Sequence, residues 1–141
     1  MRLTRFTDYA FRVLFHVAVN PGRTVPIPEI AGCYGISQHH LVKVVHDLVK
    51  GGYLASTRGR SGGVSLARPA DQIGLGDVVR HTEPDLRLID CIGCLIAPVC
   101  GLPRPMQEAI TAFVATLDRY TLADIVAESD GLARFLARPA V

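Results

Sequence analysis

Nothing in this sequence approaches the roughly 18 to 20 uninterrupted apolar residues that a membrane span requires, and only four cysteines are spread over its 141 residues. The first absence excludes a membrane-spanning helix. The opening stretch, MRLTRFTDYAFRVLFHVAV, interleaves Arg2, Arg5, Asp8 and Arg12 with apolar residues instead of gathering an apolar run. It therefore reads as a folded helix and not as a secretory leader. A cytoplasmic, reducing location is expected, where a structural disulfide is out of place. No internal repeat and no low-complexity segment is visible. No glycine-rich loop opens a helix to cradle phosphate, and no general acid–base pair stands out, so an enzyme is not expected.

What remains is ordinary for one globular domain, or a small head with a helical arm: 49% hydrophobic and 20% charged residues. The net charge of +2 hides a division. Residues 1–68 hold nine Lys or Arg against three Asp or Glu, whereas residues 69–141 hold six against ten. A basic front and an acidic back point to a polyanion partner at one end.

Helical spacing of Leu3, Phe6, Ala10, Val13, Leu14 and Val17 predicts a first helix over 4–19, stopped by Asn20-Pro21-Gly22. A second fits 28–34. Gly35-Ile36-Ser37 then turns the chain, and Ser37 is the expected N-cap of a third helix, 38–50. On that helix Leu41, Val44, Val45, Leu48 and Val49 form the inward stripe, with His39, Lys43, His46 and Lys50 opposite. The polar row suits a helix that reads a DNA groove; an ordinary solvated face is the alternative.

The next segments favour DNA. Residues 53–57 and 64–67 read as two short strands joined by the basic tip Arg58-Gly59-Arg60-Ser61-Gly62-Gly63. Helix, turn, polar-faced helix and basic hairpin, in that order, describe a winged helix-turn-helix, so the fold is mostly α with a small β-hairpin wing. Ser37, Gln38, His39, His40 and Lys43 are the candidate groove and phosphate contacts. Arg58, Arg60, Ser61 and Gly62 are those of the wing, with Gly62 and Gly63 expected to allow close backbone approach and turn dihedrals barred to other residues. A further helix fits 73–83, and an apolar stripe from Met106 to Ile125 predicts one long helix over 105–127, suited to dimerisation. A last short helix is expected over 130–137.

Three of the four cysteines crowd into CIGCLIAPVC, residues 91–100. Cys91, Cys94 and Cys100 offer three soft ligands from one loop; zinc and iron–sulfur clusters commonly take four. Cys33 is the remaining thiol, expected as a buried filler on the second helix. A thioredoxin-like use of Cys91-Ile92-Gly93-Cys94 calls for a βαβ setting that is not visible. A reactive cluster suits an incomplete thiolate set better than an inert plug, with a zinc-stabilised module left open. His16 and His81 are expected to be packing or surface residues.

Several motifs together carry a resemblance. They are Met1-Arg2-Leu3-Thr4-x-Phe6-Thr7-Asp8-Tyr9, Gly35-Ile36-Ser37-x-x-x-Leu41-Val42-Lys43, the wing Arg58 to Leu66, Ile73-x-x-Gly76-Asp77-Val78-Val79-Arg80-x-x-Glu83-Pro84, the triple cysteine, and Leu117-Asp118-x-Tyr120-Thr121-Leu122-Ala123-Asp124. Over nearly its whole length the chain resembles the winged-helix iron–sulfur regulators, the family of nitric-oxide-sensing repressors that also includes IscR and RirA. The resemblance implies a homodimeric repressor on a two-fold palindromic DNA operator, with nitric oxide as signal. It also implies an iron–sulfur cluster, [4Fe-4S] in the nitric-oxide-sensing members, on Cys91, Cys94 and Cys100. Asp8, matching the acidic residue of the N-terminal motif, would add an oxygen ligand from the other subunit. On the residues alone, Asp8 is a carboxylate well placed at a helix N-terminus. Family members usually space the first two cysteines more widely than Cys91-x2-Cys94, which leaves [2Fe-2S] and an iron or redox signal open. The organisation expected is a DNA-binding domain over 1–84, a cluster loop over 85–102, and a dimerisation helix with its tail over 103–141.

Overall fold

The computed structural model describes residues 2–129 and 131–136. Helix α1 (Arg5–Ala18) begins at Thr4, whose hydroxyl accepts from the Thr7 N–H. Its Ala10, Val13, Leu14 and Val17 are buried at helical spacing. Helix α2 (Ile27–Tyr34) starts behind Pro26 and ends where Gly35 takes a left-handed φ of 61°, the conformation a C-terminal glycine supplies without steric cost. Helix α3 (Gln38–Lys50) buries Leu41, Val44, Val45 and Leu48. Strands β1 (Leu54–Thr57) and β2 (Gly63–Leu66) pair antiparallel, with Leu54 opposite Leu66 and Thr57 opposite Gly63. A bridge from Val25 to Val64 ties this hairpin to the segment before α2.

The core of the head is the cluster made by α1, α2, α3, the hairpin and Ile73, with Leu14, Ile30, Leu41 and Leu48 fully out of solvent. Each such side chain contributes about 1.5–3 kcal/mol of burial. Helix α4 (Leu75–Thr82) packs Val78 and Val79 inward, and a loop over 83–102 leads to α5 (Pro103–Leu117).

The expected helix over 105–127 is two helices. α5 stops at Leu117, and α6 (Leu122–Glu128) starts afresh behind Thr121. Two forces break the run. Thr121 and Asp124 form a reciprocal capping box. Leu75 N–H donates to Tyr120 O (3.0 Å) and Leu122 N–H to Ile73 O (2.8 Å), drawing the 120–122 segment against the start of α4. Leu122 is thereby fully buried beneath the head. Helix α7 (Leu132–Leu136) is the last element among the described residues; Asp130 and position 137, at the ends of the expected 130–137 helix, lie outside them. Among the described residues no helix is long and apolar enough to cross a membrane.

Candidate functional site

Ser37, Gln38, His39, His40 and Lys43 share the exposed face at the start of α3. Ser37 stands at the N-cap position, yet its hydroxyl makes no capping bond. The His40 N–H bonds Ser37 O at 3.1 Å, which leaves the Ser37 hydroxyl and the Gln38 and His39 N–H groups without a partner among the described residues, a setting that favours anions. The His39 and His40 rings lie 6.2 Å apart. Beside them, Arg5, Phe6 and Tyr9 of α1 meet His40, Lys43 and Val44 of α3 around an open cleft of about 310 Å³. Arg5 is a further cation of this face, brought there only by the packing of α1 on α3.

The wing tip presents Arg58, Arg60 and Ser61 to solvent. Among the described residues neither arginine is in an ion pair. The special turn dihedrals expected of Gly62 and Gly63 are absent. Only Gly59 in the tip has positive φ, at 112°. A Cβ on Gly62 would press on the Thr57 and Gly59 carbonyls, and one on Gly63 would collide with the Val25 carbonyl. These two are glycine because the hairpin packs tightly on itself and on the strand before α2, not for their dihedral angles.

The thiol loop is built of successive turns. Cys94 N–H donates to Cys91 O (3.3 Å) and Ala97 N–H to Cys94 O (3.2 Å). Gly93 supplies the left-handed φ of 73° that lets the first turn close. Cys91 and Cys100 are half-buried, Cys94 is exposed, and all three are free thiols. Cys91 also lines a cavity of about 120 Å³ with Arg87, Leu88, Pro103 and Met106, so the root of the loop rests on α5. Ile92, Leu95, Ile96 and Val99 alternate with the thiols and stand 60–96% exposed. Contiguous apolar surface of this kind is uncommon on a monomer and is typical of an interaction surface.

The donor types fit a soft metal centre: three unoxidised thiols on adjoining turns, with no disulfide competing for them. Among the described residues no three His, Cys, Asp or Glu side chains of this one chain converge on a point. Asp8 is elsewhere, on the first turn of α1. Its carboxylate is held by Arg12, 2.8 Å from the guanidinium, and Arg12 lies over the Tyr9 and Tyr34 rings at 5.9 and 5.8 Å. Cys33 sits half-buried on α2, where burial and then the Glu29 charge push its thiol up. That environment disfavours a thiolate. His16 is fully buried, with Nε2 3.2 Å from Glu29, and His81 faces Asp47 at 2.9 Å. Both are structural, as expected.

Comparison with known proteins follows the same lines. The family model described as Rrf2, iron-dependent transcriptional regulator, matches residues 3–128. The HTH-type transcriptional regulator NsrR of Bacillus licheniformis is 41% identical over 143 residues, 97% of this chain and 100% of the relative. Among solved structures, T. potens IscR superposes with a TM-score of 0.75 at 25% identity, over 92% of this chain and 89% of that one. CymR, the global cysteine regulator of B. subtilis, has the same fold, with a TM-score of 0.75 at 24% identity over 92% and 99%.

Proposed function

The chain belongs to the Rrf2 family of transcriptional regulators, and from that premise we propose that it is a cytoplasmic, homodimeric repressor, not an enzyme, that senses nitric oxide at an iron–sulfur centre. The observation that carries this reading is the set of three free thiols on the loop that leaves a winged helix-turn-helix head.

Cys91, Cys94 and Cys100 would hold the cluster, with Asp8 of the partner subunit as the fourth ligand. When bound, the cluster supplies an iron atom open to nitric oxide at its weakly held oxygen ligand. Everything else is done by the chain. Asp8 must leave Arg12 to serve as a ligand, and an exposed i, i+4 pair of this kind is worth only roughly 0.3–0.5 kcal/mol. Giving up Arg12 therefore costs Asp8 little. Engaged across the dimer, Asp8 would tie α1 of each head to its mate, and a two-fold operator would call for reading helices about 34 Å apart, one turn of DNA. Paired instead with Arg12, Asp8 would leave the heads untied, so the two pairings would bias two populations of the dimer. Ser37, Gln38, His39, His40 and Lys43 contact the major groove and its phosphates, while Arg58, Arg60, Ser61 and Gly62 follow the backbone beside it. The four-iron form is what the resemblance to the nitric-oxide-sensing members implies. The short gap from Cys91 to Cys94, closed by the Gly93 turn, is the feature that would favour a two-iron form instead.

Cys94→Ala tests the ligand set, because Cys94 is exposed and its loss leaves the core intact. The variant purified without oxygen should lack the visible absorbance of iron–sulfur. Wild-type absorbance in the variant contradicts the assignment, and a colourless wild type with stoichiometric zinc contradicts the cluster.

A further inference from the structure

Helix α1 has a cap that its own sequence does not complete. Thr4 caps the Thr7 N–H, but the position where a capping box places Glu or Gln, to bind back to the N-cap N–H, is Thr7 itself. Helix α6 solves the same problem locally, with Thr121 N–H donating to Asp124 at 2.7 Å. In α1 the acid arrives from 79 residues away. Glu83 Oε1 accepts from Thr4 N–H (2.8 Å), Thr4 Oγ1 (3.0 Å) and Thr7 Oγ1 (2.5 Å).

The protons on this cluster can be counted. Thr4, Thr7 and Thr82 have one hydroxyl proton each. Thr4 and Thr7 spend theirs on Glu83, leaving Thr82 to divide its proton between Thr7 Oγ1 and Val78 O, each 2.8 Å away. One carboxylate oxygen therefore organises the whole junction, and a charged acceptor makes each bond to it stronger than a neutral one would be.

The junction lies between two functional parts. Glu83 ends α4, its N–H bonded to Val79 O at 2.9 Å, and Pro84 opens the loop that carries the thiols. Asp8 follows Thr7 directly in the first turn of α1, and α1 packs against the reading helix α3. We propose that Glu83 is a positioning residue that latches the departure point of the thiol loop to the first turn of α1, so that the state of the loop reaches the reading head within its own subunit. This rests on the reading that the loop holds the signal-sensitive centre. It adds a path inside one subunit to the Asp8 path between subunits, and both converge on one helical turn.

The test uses full-length Glu83→Ala and Glu83→Gln. In cluster-free protein, Glu83→Ala should speed hydrogen exchange at the Thr4 amide by roughly tenfold, with Leu122 unchanged as a control in the other cap. In loaded protein, the visible spectrum should match wild type, because Glu83 is not a ligand. The ratio of operator affinity before and after nitric oxide should fall by roughly fivefold. Glu83→Gln keeps a carbonyl acceptor and should recover most of that ratio. Thr7→Val, which deletes one donor at nearly constant shape, should lower it by a smaller factor and guards against a misfolded Glu83→Ala. An unchanged Thr4 exchange rate, an unchanged affinity ratio in Glu83→Ala, or a lost cluster spectrum each overturns the latch. A wild type whose operator affinity ignores nitric oxide overturns the sensing reading and the transmission together. Accelerated Thr4 exchange in that case shows a cap with nothing to transmit, so the two failures are told apart.

Discussion

Glu29 shows how a single carboxylate pins the helix-turn-helix. Both of its oxygens take the Arg23 guanidinium, at 2.6 and 2.9 Å, and one also faces the buried His16. The hydrogen bond from Arg23, followed by that from His16, overrides the cost of burial and brings the Glu29 carboxyl down to about 2. A carboxyl lowered on folding stabilises the protein above its unfolded value and loses that contribution as pH falls toward the folded one. Glu29→Gln should therefore cost about 1 kcal/mol at pH 7, a figure kept small by the exposure of the pair. The deficit relative to wild type should shrink from about pH 4 downward and vanish only below about pH 2. Urea melts of both proteins across that range check it; a deficit that grows on acidification refutes it. Arg60 is the complementary case, a cation with no partner within the described chain. Arg60→Ala should weaken binding to every DNA sequence alike and reduce the salt slope by about one phosphate contact. An unchanged slope in a mobility-shift series rules out the wing contact.

At the scale of elements, the hairpin depends on backbone contact more than on side chains. Because a Cβ on Gly63 would meet the Val25 carbonyl, Gly63→Ala should break the Val25–Val64 bridge and destabilise the head by about 1–3 kcal/mol. Denaturant melts that match wild type would contradict this. The elements of the head were legible because their signals are local: the 3.6-residue stripe of α3, the Asn20-Pro21-Gly22 stop, Gly35 at the end of α2, and the basic tip between two apolar runs. The break between α5 and α6 was half legible. Thr121 and Asp124 spell a capping box in the sequence, but the apolar stripe runs through it, and the pull of Ile73 and Leu75 on residues 120–122 is made by contacts 45 and 49 positions apart that periodicity does not contain. The Glu83 cap escaped notice for the same reason. Of the site, the thiols and the cationic face could be read from spacing and charge. The pairing of Asp8 with Arg12 and the joining of Arg5 to the α3 face needed the fold.

For the molecule as a whole, charge and apolar surface divide the work. The basic half forms the head with its reading helix and wing, and the acidic half carries the loop and α5. The thiol loop exposes Ile92, Leu95, Ile96 and Val99 together with Leu102 at the start of α5. That surface is what a second copy would cover, bringing its Asp8 toward these thiols. The proposal thus makes the iron centre, the dimer and the operator geometry one coupled system. The most direct measurement is an oxygen-free sample, assayed for iron and sulfide, whose visible spectrum and operator mobility shift are followed together as nitric oxide is added. The account predicts that both change over the same additions, the cluster absorbance falling as the shifted band disappears. Protein devoid of iron and sulfide that still binds its operator normally, or a loaded protein whose band persists after its spectrum has collapsed, would contradict it.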